Sequence, residues 1–448
     1  MSEQGNSGGS SGNRRRRRRR GGRGRSSSSR TSRTPSNPGP VFDESGLPHG
    51  VLAEEAAPPP PDPNDPFVPP TLEDLYAMRV LDAARDGHGF LRNPAKGYVP
   101  QVEDAYVAPS IVRQYGMRDG VVVDGEIGLP KRKGQNPQLV RPRSIGGVAP
   151  HLFHETPRWD DLIVIDPEER IDLTTGTDDL TLRIIDMLCP IGFGQRGLLV
   201  SPPRAGKTII LQKIAHAVQT NHPEAYLMVL LVDERPEEAT AMRRAVRGEV
   251  AVSTNDKPPE NHVRVTEMVL KKAKRLVETG RKVVILMDSL TRLGRAYNLL
   301  QRGGGRTLSG GIDSRTLERP KAFFGAARKV EDGGSLTIIA TALIETGSRM
   351  DQVIFEEFKG TGNMELVLDR ELSEQRIWPA IDVNKSGTRK EEKLLAPSFL
   401  EGVYTLRRVL NRVRPLEAME LLLARMEKTE TNEEFIQSIT AKRRGDLD

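Results

Sequence analysis

Eight residues, Ser201-Pro-Pro-Arg-Ala-Gly-Lys-Thr208, stand between a short apolar run, Gly197 to Val200, and a stretch of helical periodicity, Ile209 to Val218. A buried strand, a loop and a helix in that order restrict the chain to folds that offer a helix N-terminus to a phosphate at a sheet edge. Backbone N–H groups and the helix dipole would face the phosphates, with Lys207 reaching the β and γ oxygens of ATP and the Thr208 hydroxyl placed for Mg²⁺. Ser201 departs from the general pattern, which begins with glycine. From Leu180 onward the apolar runs Tyr226–Val232, Val283–Met287 and Leu336–Ala340 alternate with helical stretches. Such runs mark parallel strands buried on both faces, so residues 181–424 are expected to form an α/β domain, followed by a helical extension over 425–448.

The other pieces of a phosphoryl-transfer site have candidates. Asp288 ends the run Val283–Met287, where a carboxylate can hold the metal through water; a helix-capping role is the alternative. Ser289 follows it, so a general base has to come from elsewhere. Glu234, at the C-terminal end of the strand after the P-loop helix, is the candidate, against a surface ion pair with Arg235. Arg389, taken alone, reads as a solvated cation, and Arg376 precedes the apolar Ile377-Trp378-Pro379. Trp378 is either core or a flat face for adenine.

Upstream, short β-like pieces at Gly89–Arg92, Asp104–Val107, Gly120–Ile127 and Gln138–Val140 predict a small all-β barrel over 71–148. Residues 149–180 read as a linker interrupted by Pro150, Pro157 and Pro167. Residues 1–70 are Arg/Gly/Ser-rich and then Pro-rich, a composition expected to stay disordered. Charge supports that division. The chain carries 67 Lys and Arg against 61 Asp and Glu, net +6. Residues 1–35 hold eleven arginines and a single acid, Glu3, and so contribute +10, which leaves −4 for the rest. The tail either seeks phosphates or serves as a solvated arm, and a nucleic-acid site in the folded part has to be a local patch. The one cysteine, Cys189, excludes an intrachain disulfide and a four-cysteine zinc site. No apolar run nears the roughly 20 residues of a membrane helix. A cytoplasmic protein without membrane contact is expected.

Several longer motifs occur in one order: Val232-Asp-Glu-Arg-Pro-Glu-Glu238, Asp288-Ser-Leu-Thr-Arg-Leu-Gly-Arg-Ala-Tyr-Asn298, Arg319–Arg328, Glu357–Glu365 and Asp382–Lys390. With the P-loop, they make the chain resemble the Rho family of transcription termination factors over about residues 79–424. The resemblance implies a RecA-type P-loop domain preceded by an OB-fold (cold-shock-like) RNA-binding domain. It implies a homohexameric ring that hydrolyses ATP when it holds RNA, moves 5′ to 3′, and separates nascent RNA from the RNA polymerase elongation complex. By the same resemblance the nucleotide is bordered by Gly192, Phe193, Gly194, Gln195, Arg196 and Gly197, by Arg204, Ala205, Gly206, Lys207, Thr208 and Ile209, and by Arg235. Arg389, with Arg376, would serve the γ-phosphate of a neighbouring subunit. Arg306, Thr307 and Ser309, and Thr346, Gly347 and Arg349, would line the RNA channel, although unaided they read as flexible Gly-rich loops. On the barrel, Gly87, His88, Gly89, Phe90, Leu91, Arg92, Asp104, Ala105 and Tyr106 match the family's RNA strands. Phe90 and Tyr106 are candidate base platforms, with a barrel-core role the alternative for Phe90, and Arg92 is the candidate for phosphate. The chain departs from the family pattern at His88, at Gln135–Pro137, at Arg204 in place of Lys, and in a helical bundle reduced to Leu72–Val80. A rotary or secretion ATPase of the F-type class, and an RNA binder with an inactive P-loop, are the rival readings.

Overall fold

The structure, a computed structural model, describes residues 67–130, 134–174, 179–301, 307–308, 312–313 and 315–445. The Arg-rich tail, Arg306 and Ser309 lie outside them. Helix α1 (Leu72–Ala77) opens the described chain with a reciprocal cap: the Asp74 N–H donates to the Thr71 hydroxyl and the Thr71 N–H to the Asp74 carboxylate, at 3.2 and 2.8 Å. The expected helical remnant ends there, because β1 begins at Arg79.

Strands β1 (Arg79–Ala83), β2 (Gly89–Arg92), β3 (Ala105–Val107), β4 (Val122–Gly128) and β5 (Gln138–Ile145), with α2 (Pro109–Gln114) between β3 and β4, close a barrel in the order β1-β2-β3-β5-β4. Closure removes exposed sheet edges and buries Leu81, Leu91, Val107, Val123 and Ile145 inside. The segment expected to be a linker is packed. Phe153 and Trp159 are 1% and 4% exposed, and β6 (Val164–Ile165) joins the main sheet; β7 (Arg170–Ile171) pairs with β8 below. Its prolines do prevent long elements, but two large aromatics fasten it down. Lys274 and Arg328 each place a cation over the Trp159 ring, at 5.1 and 4.3 Å.

The α/β domain runs α3 (Leu180–Leu188), β8 (Ile191–Gly192), β9 (Arg196–Ser201), α4 (Lys207–Asn221), β10 (Tyr226–Glu234), α5 (Pro236–Ala245), β11 (Glu249–Thr254), α6 (Pro259–Glu278), β12 (Lys282–Asp288) and α7 (Leu290–Leu300). A short hairpin, β13 (Thr307–Leu308) and β14 (Ile312–Asp313), follows, then α8 (Glu318–Gly325), β15 (Arg328–Val330), β16 (Ser335–Leu343), α9 (Arg349–Lys359), β17 (Met364–Val367), α10 (Arg370–Glu374) and β18 (Gly387–Thr388). The sheet order is β11-β10-β12-β16-β9-β17-β18, parallel from β11 to β17. The predicted apolar runs are these central strands, and their side chains fill two cores, one on each face. Helices α11 (Pro397–Leu410), α12 (Pro415–Met426) and α13 (Asn432–Gly445) cover one of them. Gly402 lets α13 lie close on α11, since a Cβ there would sit 2.1 Å from Ile436 Cγ2.

The barrel and the α/β domain are joined by buried polar chemistry. The Tyr98 hydroxyl, from the barrel, donates to Glu249, which also accepts from Tyr226 at 2.9 Å and from Lys272 at 2.5 Å. The charges are fully desolvated, so each is tolerable only because the others are present.

Candidate functional site

The P-loop leaves β9 at the C-terminal edge of the sheet, where open α/β sheets bind ligands. Arg204 and Gly206 take left-handed φ values of 69° and 90°, and Gly206 caps α4. Lys207 extends from the first position of α4 between two carboxylates. Its Nζ donates to Glu234 Oε1 at 3.3 Å and to Asp288 Oδ2. Asp288 is 1% exposed, and its other oxygen accepts from the Thr341 hydroxyl at 2.7 Å, which fixes the carboxylate plane. The helix cap belongs instead to Ser289, which accepts from the Arg292 N–H.

Glu234 reaches this cluster through a local break in β10. Asp233 has φ 57°, and the β10–β11 register shifts between Val232 and Glu234. A bulge of this kind re-aims the next side chain. Glu234 is 2% exposed and faces Lys207 on one side and the Arg292 Nε, 3.2 Å away, on the other. Burial, and then the nearby Asp288 charge, push its carboxyl up to about 7. Burial works to lower the Lys207 amine, but the Asp288 and Glu234 carboxylates override it and its net shift is upward. The surface pair with Arg235 does not form: Arg235 is exposed at the start of α5, with no side-chain partner among the described residues.

Trp378 is 42% exposed and therefore not core. Its ring lies over the loop, 3.0 Å from where a Gly206 Cβ would stand. Ala205 is buried beneath the loop, Thr208 is half-buried at the second position of α4, and Ile209 is exposed. Arg376 is exposed, with φ 63°.

Two expected groups do not join the P-loop within one chain. The Gly192–Gly197 turn lies at the opposite end of β9, about 17 Å away at some 3.3 Å per residue. Phe193 is fully buried, and Gln195 is 1% exposed with its Nε2 donating to Asn363 Oδ1 at 2.8 Å. The Gly194 N–H donates to Thr337, and the Arg196 guanidinium to the carbonyls of Thr361 and Ala327. Arg389 follows β18, and its N–H donates to the Asn363 carbonyl at 2.8 Å. Asn363 thus ties the turn and Arg389 into a second cluster, separate from Lys207, Glu234 and Asp288.

On the barrel, His88, Phe90 and Tyr106 form a triangle of rings with centroids 5.5 to 5.8 Å apart. All three are partly exposed, and Phe90 is absent from the barrel core, so the core alternative for Phe90 does not hold. His88 Nδ1 is 2.7 Å from Asp86 Oδ1. Gly87, with φ 92°, turns the chain into β2, while Gly89, Leu91 and Ala105 are buried structural positions. Arg92 differs from the expectation of a phosphate contact. It is 9% exposed, donates to Asp82 and Asp104 at 2.9 Å each, and lies 4.9 Å from the Phe90 ring. Its charge is taken up by two carboxylates beside the Phe90 ring. Asn136 occupies the aromatic-poor segment and donates to the carbonyls of Val102 and Asp104.

Of the channel candidates, Thr307 lies on β13. Thr346 donates to Asp351 at 2.6 Å, Gly347 has φ 77°, and Arg349 is exposed at the first position of α9. Arg295 holds Asp351 bidentately at 2.8 and 2.6 Å. Sequence reasoning missed Arg292 and Thr341 in the nucleotide cluster. Arg292 carried a readable signal, one turn into the helix that starts beside Asp288; Thr341 is one of several threonines in apolar strands and carried none.

Comparison with known proteins agrees with this geometry. Residues 78–151 match the Rho termination factor RNA-binding domain, and residues 181–388 match the nucleotide-binding domain of the ATP synthase alpha/beta family. Transcription termination factor Rho of Cereibacter sphaeroides is 52% identical over 363 residues, 80% of this chain and 86% of that protein. The Rho of Aquifex aeolicus is 51% identical over 371 residues, 82% and 85% of the two chains. Among solved structures, an ATPase from the type III secretion system of pathogenic bacteria superposes with TM-score 0.52 at 21% identity, over 70% of this chain and 93% of that one. The ATP synthase subunit NeqB from Nanoarcheaum equitans superposes with TM-score 0.52 at 17% identity, over 62% and 77%. At such identities the likeness is one of fold.

Proposed function

The chain belongs to the Rho family of transcription termination factors, an ATP-hydrolysing P-loop enzyme with an RNA-binding barrel, and from that premise we propose that it is an RNA-dependent translocase. In this reading it assembles as a homohexamer, draws nascent RNA 5′ to 3′ through its centre and dissociates it from the RNA polymerase elongation complex. The observation that carries the reading is the division of the nucleotide chemistry into two clusters. Lys207, Glu234 and Asp288 stand on one; Arg389, fixed through Asn363, stands on the other. The first cluster holds a base, a P-loop lysine and Arg292, which the Asp233 and Glu234 carboxylates engage; Arg389 would add its charge to the same γ-phosphate only from a neighbouring copy.

Glu234 takes the proton of the attacking water. Its carboxyl, raised to about 7, is basic enough to accept that proton near neutrality. Lys207 turns from the carboxylates to the β and γ oxygens, and Arg292 keeps Glu234 aimed while it does so. Trp378 covers the loop as a face for adenine, and exposed Arg235 and Arg204 border the phosphates. A Mg²⁺ ion would be held by the Thr208 hydroxyl and, through water, by the Thr341-oriented Asp288 carboxylate, and would neutralise charge on the β and γ oxygens.

The test is ATP hydrolysis by the purified protein with and without single-stranded RNA. Hydrolysis should rise on RNA addition; equal rates would remove RNA dependence and favour a rotary type of motor. Stacking on Phe90 and Tyr106 contributes about 1–3 kcal/mol per base. Phe90→Ala should therefore weaken binding of short RNA by roughly 5- to 150-fold in a fluorescence anisotropy titration while leaving RNA-free hydrolysis unchanged.

A further inference from the structure

The barrel touches α6 of the motor at several ion pairs, and one of them is shared with the RNA platform. Lys271 pairs with Asp119 at 2.8 Å and Arg118 with Glu278 at 3.1 Å; neither Asp119 nor Arg118 contacts the ring triangle. Arg264 is different. Its NH2 lies 3.5 Å from Asp82 Oδ2, the same oxygen that accepts from Arg92 Nε at 2.9 Å. Arg92 in turn is packed on Phe90. One carboxylate oxygen on β1 is therefore divided between a guanidinium that braces the RNA platform and a guanidinium on a motor helix.

The other end of the path is the catalytic strand. Arg264 lies in the second turn of α6, two residues after His262. His262 Nδ1 is 2.6 Å from the Ser253 hydroxyl, and Asn261 donates to the same hydroxyl at 2.8 Å. Just past β11, the Asn255 N–H donates to the Glu234 carbonyl at 3.0 Å. The start of α6, the end of β11 and the backbone of Glu234 thus form one hydrogen-bonded cluster. The Tyr98–Glu249–Lys272 joint is buried, at 0%, 6% and 0% exposure. The Asp82–Arg264 pair is partly exposed, with side chains 22% and 36% accessible, and has room to shift.

We propose that Arg264 is a positioning residue that transmits occupancy of the barrel's RNA platform to the base Glu234, through the Asp82 oxygen it shares with Arg92. The proposal rests on the RNA-dependent reading above. A base stacking on Phe90 displaces the ring and the guanidinium resting on it. The Asp82 carboxylate is redistributed between its two partners, and the first turns of α6 follow, carrying the β11 end and Glu234. Two contacts compete for one oxygen, and each is biased from its own end of the path.

The experiment uses the full-length protein and a labelled short pyrimidine RNA as probe. Three variants are compared with the unaltered chain: Arg264→Gln, Arg264→Lys and Lys271→Gln. For each, RNA affinity is measured by anisotropy, and ATP hydrolysis is measured without RNA and at saturating RNA. Arg264→Gln is expected to bind RNA within about twofold of the unaltered chain and to keep RNA-free hydrolysis, but to lose roughly fivefold in maximal stimulation, the usual size of such couplings. Arg264→Lys, which keeps the charge, should retain most of it. Lys271→Gln, which removes a neighbouring bridge of the same kind, should retain all of it. Unchanged stimulation in Arg264→Gln, or a loss mirrored by Lys271→Gln or by lost RNA affinity, overturns the proposal. An unaltered chain that ignores RNA overturns the RNA-dependent reading itself and this proposal with it, and is recognised before any variant is compared.

Discussion

The titration of Glu234 sets the first prediction at the scale of single residues. A base works only when deprotonated, and burial beside Asp288 places the Glu234 carboxyl at about 7. The kcat/KM for ATP, which reports the free enzyme, should therefore fall about tenfold per pH unit below that point and level off above it. A profile flat from pH 6 to 8 would remove Glu234 from the role. Asp186 carries a second pH effect, on stability. It is 2% exposed, its Oδ1 has no hydrogen-bond partner, and desolvation raises its carboxyl to about 7 despite Arg170 nearby. The sign follows from linkage. The unfolded chain ionises this group near 4 while the folded chain holds the proton until about 7, so stability declines as pH rises through that window. Asp186→Asn abolishes the decline. It should stabilise the protein by on the order of 1–3 kcal/mol at pH 8 and by little near pH 4, read from urea unfolding at both values.

At the scale of elements, the most exacting contact is the one that holds the C-terminal helix. Arg183 on α3 is 2% exposed. Its guanidinium donates to the carbonyls of Met426, Thr429 and Thr431, to the Thr429 hydroxyl and to Asn432 Oδ1. These acceptors are the turn between α12 and α13. Arg183→Ala would leave the buried Met426 carbonyl and Asn432 side chain, and the part-buried Thr429 groups, without this donor, a loss of roughly 1–3 kcal/mol. The expected result is loss of amide-exchange protection across 432–440 ahead of the central strands; uniform protection would show that apolar packing of Phe435 and Ile436 suffices. None of this was legible in the sequence, where Arg183 is one charge in an apolar helix and its partners lie some 245 residues downstream. The central strands were legible because burial on both faces imposes continuous apolar runs, and β10, β12 and β16 show them. The P-loop was legible because its chemistry is local. The break at Asp233 that aims Glu234, the packing of the expected linker around Trp159, and the withdrawal of Arg92 between Asp82 and Asp104 depend on residues brought together by tertiary structure. Sequence spacing does not encode such meetings.

At the scale of the whole molecule, the division between the Lys207–Glu234–Asp288 cluster and the Arg389–Asn363 cluster makes a prediction about assembly. If each active nucleotide site draws its base from one copy and its arginine from the next, a defect in either is a defect of the interface rather than of the subunit. Glu234→Ala and Arg389→Ala, each prepared alone, should both have lost hydrolysis, because every interface lacks one group. Mixed assemblies differ. When the two variants are co-refolded in equal amounts, about a quarter of randomly formed interfaces pair an intact Glu234 with an intact Arg389, and another quarter combine both defects. Hydrolysis should return toward that fraction if sites fire independently, and stay below it if firing passes from site to site around a ring. Were the arginine supplied within its own chain, every subunit would carry one defect in any mixture. The mixture would then be as inactive as its parts.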